Sequence, residues 1–563
     1  MSGCVVKGYY ESPICAEKTY STRLKHCRKM SYMVHRRFLP SNHPYRRQKK
    51  AFNGNQEFNT APRPLSGHEV LERVERINYR MGKFGGKLQL KMGKTKDGVA
   101  ARLDLMEMNV RSELALRIGD KKTFLPPACY TLSKDEKRSI CNSLSGMKVP
   151  EGYSSNVKNL VSMKDLKLVD LKSHDYHTLM QQLLPVAIRG VLPKHVRDTI
   201  TRLCFYFNEL YSNVMDVSKL DELQREIVMI LCLLEKYFPP LFFDIMIHLT
   251  VHLVREVKLC GPVWSRHMYP FERYMKILKG YVRNRNRPEG CIAECYIAEE
   301  AVEFCSDYLS NVHTIGIPSR DREVQRTKPL SKAIVHSASH NELQQAHLYV
   351  ERAIDHSTHQ ISERLKWISR GPRKKVLKYS GYLIDGVTYA TKERDDVRVT
   401  QNSGVSLVAK TMQVSSAKDK NPIMTDMVFY GLIEEIWSLD YHNFQIPMFK
   451  CHWVENNNGI KVDDLGFTLV NLNRIGFKSE SFILGSQAKK VFFVEDPEDP
   501  LWSIVLAAPT RESFENANGD ELEDIVIHYE SSTRGLPSME VDDEDDNEPQ
   551  CLREDCDGTW IDN

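Results

Sequence analysis

The sequence predicts an α+β protein: a predominantly helical central domain followed by a small antiparallel β domain, with a basic N-terminal segment and an acidic, disordered tail. Three observations carry this. Apolar residues recur at helical spacing between residues 93 and 310, and the period changes to two between 424 and 509. Charge is segregated although the net value is only +4: Lys18 to Gln56 holds eleven Lys/Arg and no Asp or Glu, whereas Asp542 to Asp546 is an unbroken acidic run.

Residues 1–92 are basic and punctuated by Gly and Pro. Their periodic pattern is confined to Val70, Leu71, Val74 and Ile77, a short amphipathic helix, so this region reads as a fragment leaning on something else. In the helical domain, 93–310, Pro193 opens a helix whose apolar face is Val196, Ile200, Leu203, Phe207, Leu210 and Val214. Ile227, Ile230, Leu231 and Leu234 repeat the pattern until Pro239-Pro240 ends it. Leu241, Ile245, His248, Leu249 and His252 form the next helix, and a last one runs from about Ala293 to Leu309. Residues 311–423 read as a linker with one helix around His340 to Ile368. The runs MVFYGLIEEIW, QIPMFKCHWV, FTLVNLNRI, KKVFFVED and WSIVLAA then build the β domain, 424–509. Residues 510–563 are acidic and poor in aromatics, hence expected to be disordered.

A chain of 563 residues with 41% hydrophobic content can bury more than one core. The start, MSGCVVKGYYESPIC, lacks the apolar region of a signal peptide, and charges and prolines break the apolar stretch from Ile227 to Val254. No run there reaches the roughly 18–20 apolar residues of a membrane span. With 14 scattered cysteines, the expectation is an intracellular protein with reduced thiols and no membrane partner.

Four constellations carry chemistry. His248 and His252 stand at i and i+4 on one helix face, and His174 and His177 form a second pair; together they offer four imidazoles, enough for a closed tetrahedral Zn²⁺ site. Each pair alone is more often the mark of histidines satisfied inside a core. A zinc-protease reading fails, because Leu249 stands where its catalytic Glu belongs. Glu272, in an aromatic setting, is a candidate Mg²⁺ ligand or a structural acid paired with Arg273 or Arg266. Lys276, Lys279 and Arg283 fall on one helical face with Tyr274 and Tyr281 interleaved, which suits phosphate contact and stacking or a solvated basic face. Near the N-terminus, Arg36, Arg37, Arg46, Arg47, Lys49 and Lys50 mix with aromatics in a pattern that suits DNA. In the same region Ser-Pro-Ile-Cys, 12–15, leaves one thiol where a zinc knuckle needs two, so Cys15, His26, Cys27, His35 and His43 read as a degraded or absent metal site.

Long motifs add a resemblance. MVHRRFLPSNHPYRRQKKAFNGNQEFNTAPRPLSGHEVLERV, SHDYHTLMQQLLPVAIRGVLP, HLTVHLVREVKLCGPVWSRHMYPFERYMKILKGYVRNRNRPEGCIAECYIAEEAVEFC and VFYGLIEEIWSLDY resemble plant transposases of the CACTA (En/Spm-like) class, over most of residues 9–509. That resemblance implies a nuclear, DNA-directed protein, with DNA (transposon ends or non-specific sequence) and full-length transposase as partners. It implies an RNase H-like core with three metal-binding acids, of which Glu272 matches the third, and a zinc-binding set matching His174, His177, His248 and His252. The family's first acid would lie ahead of this sequence. Its second would lie before Lys94, where NYRMGKFGGKLQLKMGK stands instead. The expectation is a truncated remnant of the core that binds DNA but is catalytically inactive, against an active nuclease recruiting Asp97, Asp104 or Glu107 with Mg²⁺, or a protein-interaction module built on the β domain.

Overall fold

The computed structural model describes Tyr9 and residues 12–75, 96–308, 327–352, 363–413, 423–508, 510–512, 526–528 and 550–562, apart from 155, 213–214, 264–265, 267–268 and 478–480. The helical centre is built on two long helices. Lys194–Leu210 follows Pro193, which stands at the cap, and Leu220–Tyr237 stops at Phe238, ahead of Pro239-Pro240. Proline cannot donate the next helical hydrogen bond, so the chain must turn there. Asp244 then caps Ile245–Leu249 by accepting from the Met246 and Ile247 amides, at 3.1 and 3.3 Å. One tight turn, Thr250–His252, leads into Leu253–Cys260, which ends at Gly261 in the positive-φ conformation glycine favours (φ 78°). Lys194–Leu210 is buried on more sides than a single stripe predicts: Tyr206 and Leu210 face one core, Phe205 a second and Val196 a third.

The basic N-terminal segment has little regular structure of its own: a small antiparallel hairpin pairs Thr22–Leu24 with Lys29–Ser31, short 3-10 turns follow, and the expected short helix spans Gly67–Glu75. Its apolar residues Met33, Val34, Leu39, Tyr45, Ala51 and Phe52 are buried in the same core as Ile227, Leu231 and Val254. The Tyr32 amide donates to Phe243 O (2.8 Å) and the Ser31 hydroxyl to Pro240 O (2.7 Å), so the segment is tied to the turn that precedes His248.

The main sheet of the β region is antiparallel, its spine the hairpin Ile423–Asp440 with Gln445–Val454, flanked by Gly404–Gln413; a separate three-stranded sheet joins Lys328–Pro329, Gly381–Ile384 and Val387–Ala390. The stretch expected to be a linker supplies further strands to the main sheet: Ile334–Ser337 and Lys375–Tyr379 pair with each other, and the latter pairs with Ile423–Asp440. These strands are short and partly polar, which hides their period in the sequence. Phe467, Phe492 and Ile504 of the β region share a core with Leu144, Val186 and Phe205 of the helical region.

The expectation for the tail is corrected at its end. Thr559–Asp562 pairs antiparallel with Lys122–Leu125, and buried Arg553 reaches Glu136 at 2.8 and 3.0 Å. Acidic composition conceals this strand because pairing is made by backbone groups. Residues 513–525 and 529–549 lie outside the described residues.

Candidate metal centre

Cys15 ends a tight turn closed by the Ala16 amide on Ser12 O (2.8 Å), with the Cys15 amide on the Ser12 hydroxyl (3.1 Å). The turn buries the thiol against the Ile245–Cys260 region. There Cys15 Sγ lies 3.1 Å from His252 Nε2 and 3.6 Å from His248 Nε2, and all three residues are only 4% exposed. Ligands at tetrahedral Zn–S and Zn–N distances stand roughly 3.5 Å apart, so the spacing fits one small ion. The donor set, one sulfur and two imidazoles, suits a borderline-soft metal rather than Mg²⁺.

The surroundings are apolar and aromatic: Tyr32, His35 and Phe38 ring His248 at centroid distances of 6.4, 5.5 and 6.3 Å. Burial pushes the Cys15 thiol up, partly opposed by the Ser12 hydroxyl. It pulls His248 down to about 2 and His252 down to about 4, assisted by His35. Both imidazoles are therefore neutral at physiological pH, the state in which a ring nitrogen binds a metal.

The expected four-histidine site is not assembled. His174 and His177 lie on the short helix Ser173–Thr178, where His174 Nε2 meets Tyr153 O at 2.9 Å and His177 packs 5.2 Å from the Tyr211 ring. Asp175 accepts from the Lys172 amide (3.0 Å) and anchors the start of that helix. The 248/252 pair instead takes its third donor from Cys15, more than two hundred residues away. No local spacing announces such a partner.

The basic residues divide. Arg36 and Arg46 are buried, correcting their expected place on a DNA face. Arg36 donates to Tyr45 O (3.1 Å), Gln48 O (2.6 Å), Asn53 Oδ1 (2.8 Å) and Asn55 O (3.0 Å), over the Phe52 ring. Arg46 donates to the carbonyls of Arg36, Arg37, Leu39 and Asn59. These guanidiniums organise a segment in which little of the backbone is paired in strands or helices. Arg37 is half-buried, 6.0 Å from the Tyr20 ring, whereas Arg47, Lys49 and Lys50 are exposed. Lys276 and Lys279 are exposed on the helix Tyr269–Tyr281, and Arg283 is exposed beyond its end, off the shared face the spacing predicts. Glu272 lies on this helix, and its side chain is outside the described residues.

The alternative acids are engaged elsewhere. Asp97 holds buried Arg102 (2.6 and 2.9 Å) and the Tyr130 hydroxyl (2.9 Å), and Asp104 accepts from the His26 and Cys27 amides (2.8 and 2.9 Å). Glu107 pairs with Lys25. With His26, Asp104 and Glu107 make the second group of metal-capable side chains among the described residues, and no group consists of carboxylates alone.

Residues 1–77 match the model of the transposase family tnp2. Residues 210–323 match a domain of unknown function, DUF4218, and residues 437–505 another, DUF4216. These matches support a transposase-derived chain. No curated protein and no solved structure matches it. Cys15 belongs to the first matched region, and His248 and His252 to the second, so the candidate centre lies where the two meet.

Proposed function

We propose that this transposon-derived protein, of the CACTA (En/Spm-like) class, is a nuclear DNA-binding protein that holds DNA without cutting it. Its partners are transposon ends and full-length transposase, and a structural Zn²⁺ at Cys15, His248 and His252 braces it. The observation that carries the reading is the disposition of charge in the transposase-matched segment. Arg36 and Arg46 fix the backbone from inside, and Arg47, Lys49 and Lys50 stand exposed on the segment so fixed. A rigid array of cations is what phosphate contact requires. The nuclease reading has less support, because Asp97, Asp104 and Glu107 each satisfy an arginine, backbone amides or a lysine. Two-metal cleavage needs acids converging on the ions.

The test is DNA affinity against salt. Wild type is expected to show a negative slope of log K on log salt. Joint replacement of Arg47, Lys49 and Lys50 by Ala should flatten it by about 0.9 for each phosphate that is no longer neutralised. Binding without salt dependence, or nicking with Mg²⁺ that Glu272→Ala abolishes, overturns the proposal.

A further inference from the structure

The three donors leave a tetrahedral ion one position short, and a third imidazole stands beside them. His35 is fully buried, and its Nδ1 lies 2.5 Å from Glu235 Oε1, which also accepts the His35 backbone amide at 2.9 Å. Glu235 is itself 2% exposed on the Leu220–Tyr237 helix. A carboxylate on Nδ1 fixes the proton there and leaves Nε2 with its lone pair. That Nε2 is buried with no hydrogen-bond partner. The His35 and His248 ring centroids are 5.5 Å apart, nearly the 5.3 Å that separates His248 from His252. An unpartnered buried acceptor is costly unless something occupies it.

We propose that Cys15, His248 and His252 bind one Zn²⁺ whose fourth ligand is His35 Nε2, with Glu235 as the carboxylate that orients it. The proposal rests on the zinc reading of the centre and adds its closure. His35 Nε2 stands farther from the other donors than they stand from one another, so the ring swings inward on binding, with the Glu235 contact as its pivot. Binding breaks the Cys15 S–H bond: the thiolate takes the metal, the proton leaves to solvent, and the three imidazoles bind neutral. A closed Cys-His₃ set has no open position for water, so the ion is structural rather than hydrolytic. It joins the 12–75 segment, through Cys15 and His35, to the helix of His248 and the turn of His252 that follows it.

The experiment uses the full chain loaded with Zn²⁺ and, separately, with Co²⁺. X-ray absorption on the zinc form should show one sulfur at about 2.3 Å and three imidazole nitrogens at about 2.0–2.1 Å. Proton release should be one per ion. Glu235→Gln should weaken Co²⁺ binding by about 10–100-fold, the range for a missing orienting partner, and His35→Ala by more. A shell of one sulfur, two imidazoles and one oxygen overturns the fourth ligand and leaves the zinc reading standing; the wild-type spectrum decides this even if His35→Ala fails to fold. Absence of uptake by wild type overturns both.

Discussion

Two buried polar clusters draw on the same N-terminal segment, and they differ in how they are satisfied. Around Arg36 and Arg46, the terminal guanidinium nitrogens meet carbonyl and amide oxygens of the surrounding chain at hydrogen-bond distance, although Arg36 Nε has no partner. Around Cys15, His248 and His252, three metal-capable atoms face one another, while His35 Nε2 and His248 Nδ1 are left without hydrogen-bond partners. Donors aimed at acceptors belong to the fold. Three ligand-type atoms converging on one point, linked to each other by the weak hydrogen bonds of the Cys15 thiol, have in addition the donor set that holds a metal.

The largest effect that would separate the two is metal removal. A strong chelator should lower the thermal midpoint of wild type steeply and leave Cys15→Ala nearly unmoved, since structural zinc contributes on the order of 10 kcal/mol of apparent binding energy in small domains. Equal responses of the two proteins would erase the distinction. Next comes Arg36→Ala, which removes the guanidinium donors from three carbonyls and from Asn53 Oδ1; a loss of about 3–4 kcal/mol is expected in denaturant unfolding, whether or not metal is bound.

Acid should act on one cluster alone. In metal-free protein His248 and His252 are held at about 2 and about 4 by burial, with His35, Arg37 and Arg255 adding to it, against about 6.5 unfolded. Folded pKa values below unfolded ones mean that the unfolded chain binds more protons. The stability is therefore fully present above about pH 6.5 and declines as pH falls, by about 1.4 kcal/mol per pH unit for each imidazole. His252 ceases to contribute to the decline near pH 4, and His248 continues to about pH 2. His252→Gln should flatten the profile between pH 6 and 4; an unchanged slope would show the ring is not buried neutral. The smallest effect is expected from Arg47, Lys49 and Lys50 replaced by Ala: stability within about 0.5 kcal/mol of wild type, with the change confined to DNA affinity.

What the sequence made legible follows from the range of each interaction. The His248/His252 pair, the stop at Pro239-Pro240 and the central β hairpin are local, and the structure contains them. Cys15 could not be paired with His248 and His252 from spacing, since 233 and 237 positions separate them, and Ser12 conceals the half-motif that marks a metal-binding turn. Arg36 and Arg46 were misplaced for a different reason: cations interleaved with aromatics look the same whether they meet phosphate or backbone carbonyls. The Thr559–Asp562 strand was hidden by its acidic neighbours, because its partner, Lys122–Leu125, is also far away in sequence.

The distance between Cys15 and His248 also has a meaning in time. The ribosome delivers the thiol first, and 233 further residues must be made before the first of its two imidazole partners exists. At about 5–20 residues per second that is a wait of roughly 10–50 s. Through that interval Met33, Leu39 and Phe52 lack the helices that cover them in the finished core. The nascent segment is thus a client for whatever shields apolar chain and reduced thiol during synthesis, and its final packing is among the later events of the molecule's birth.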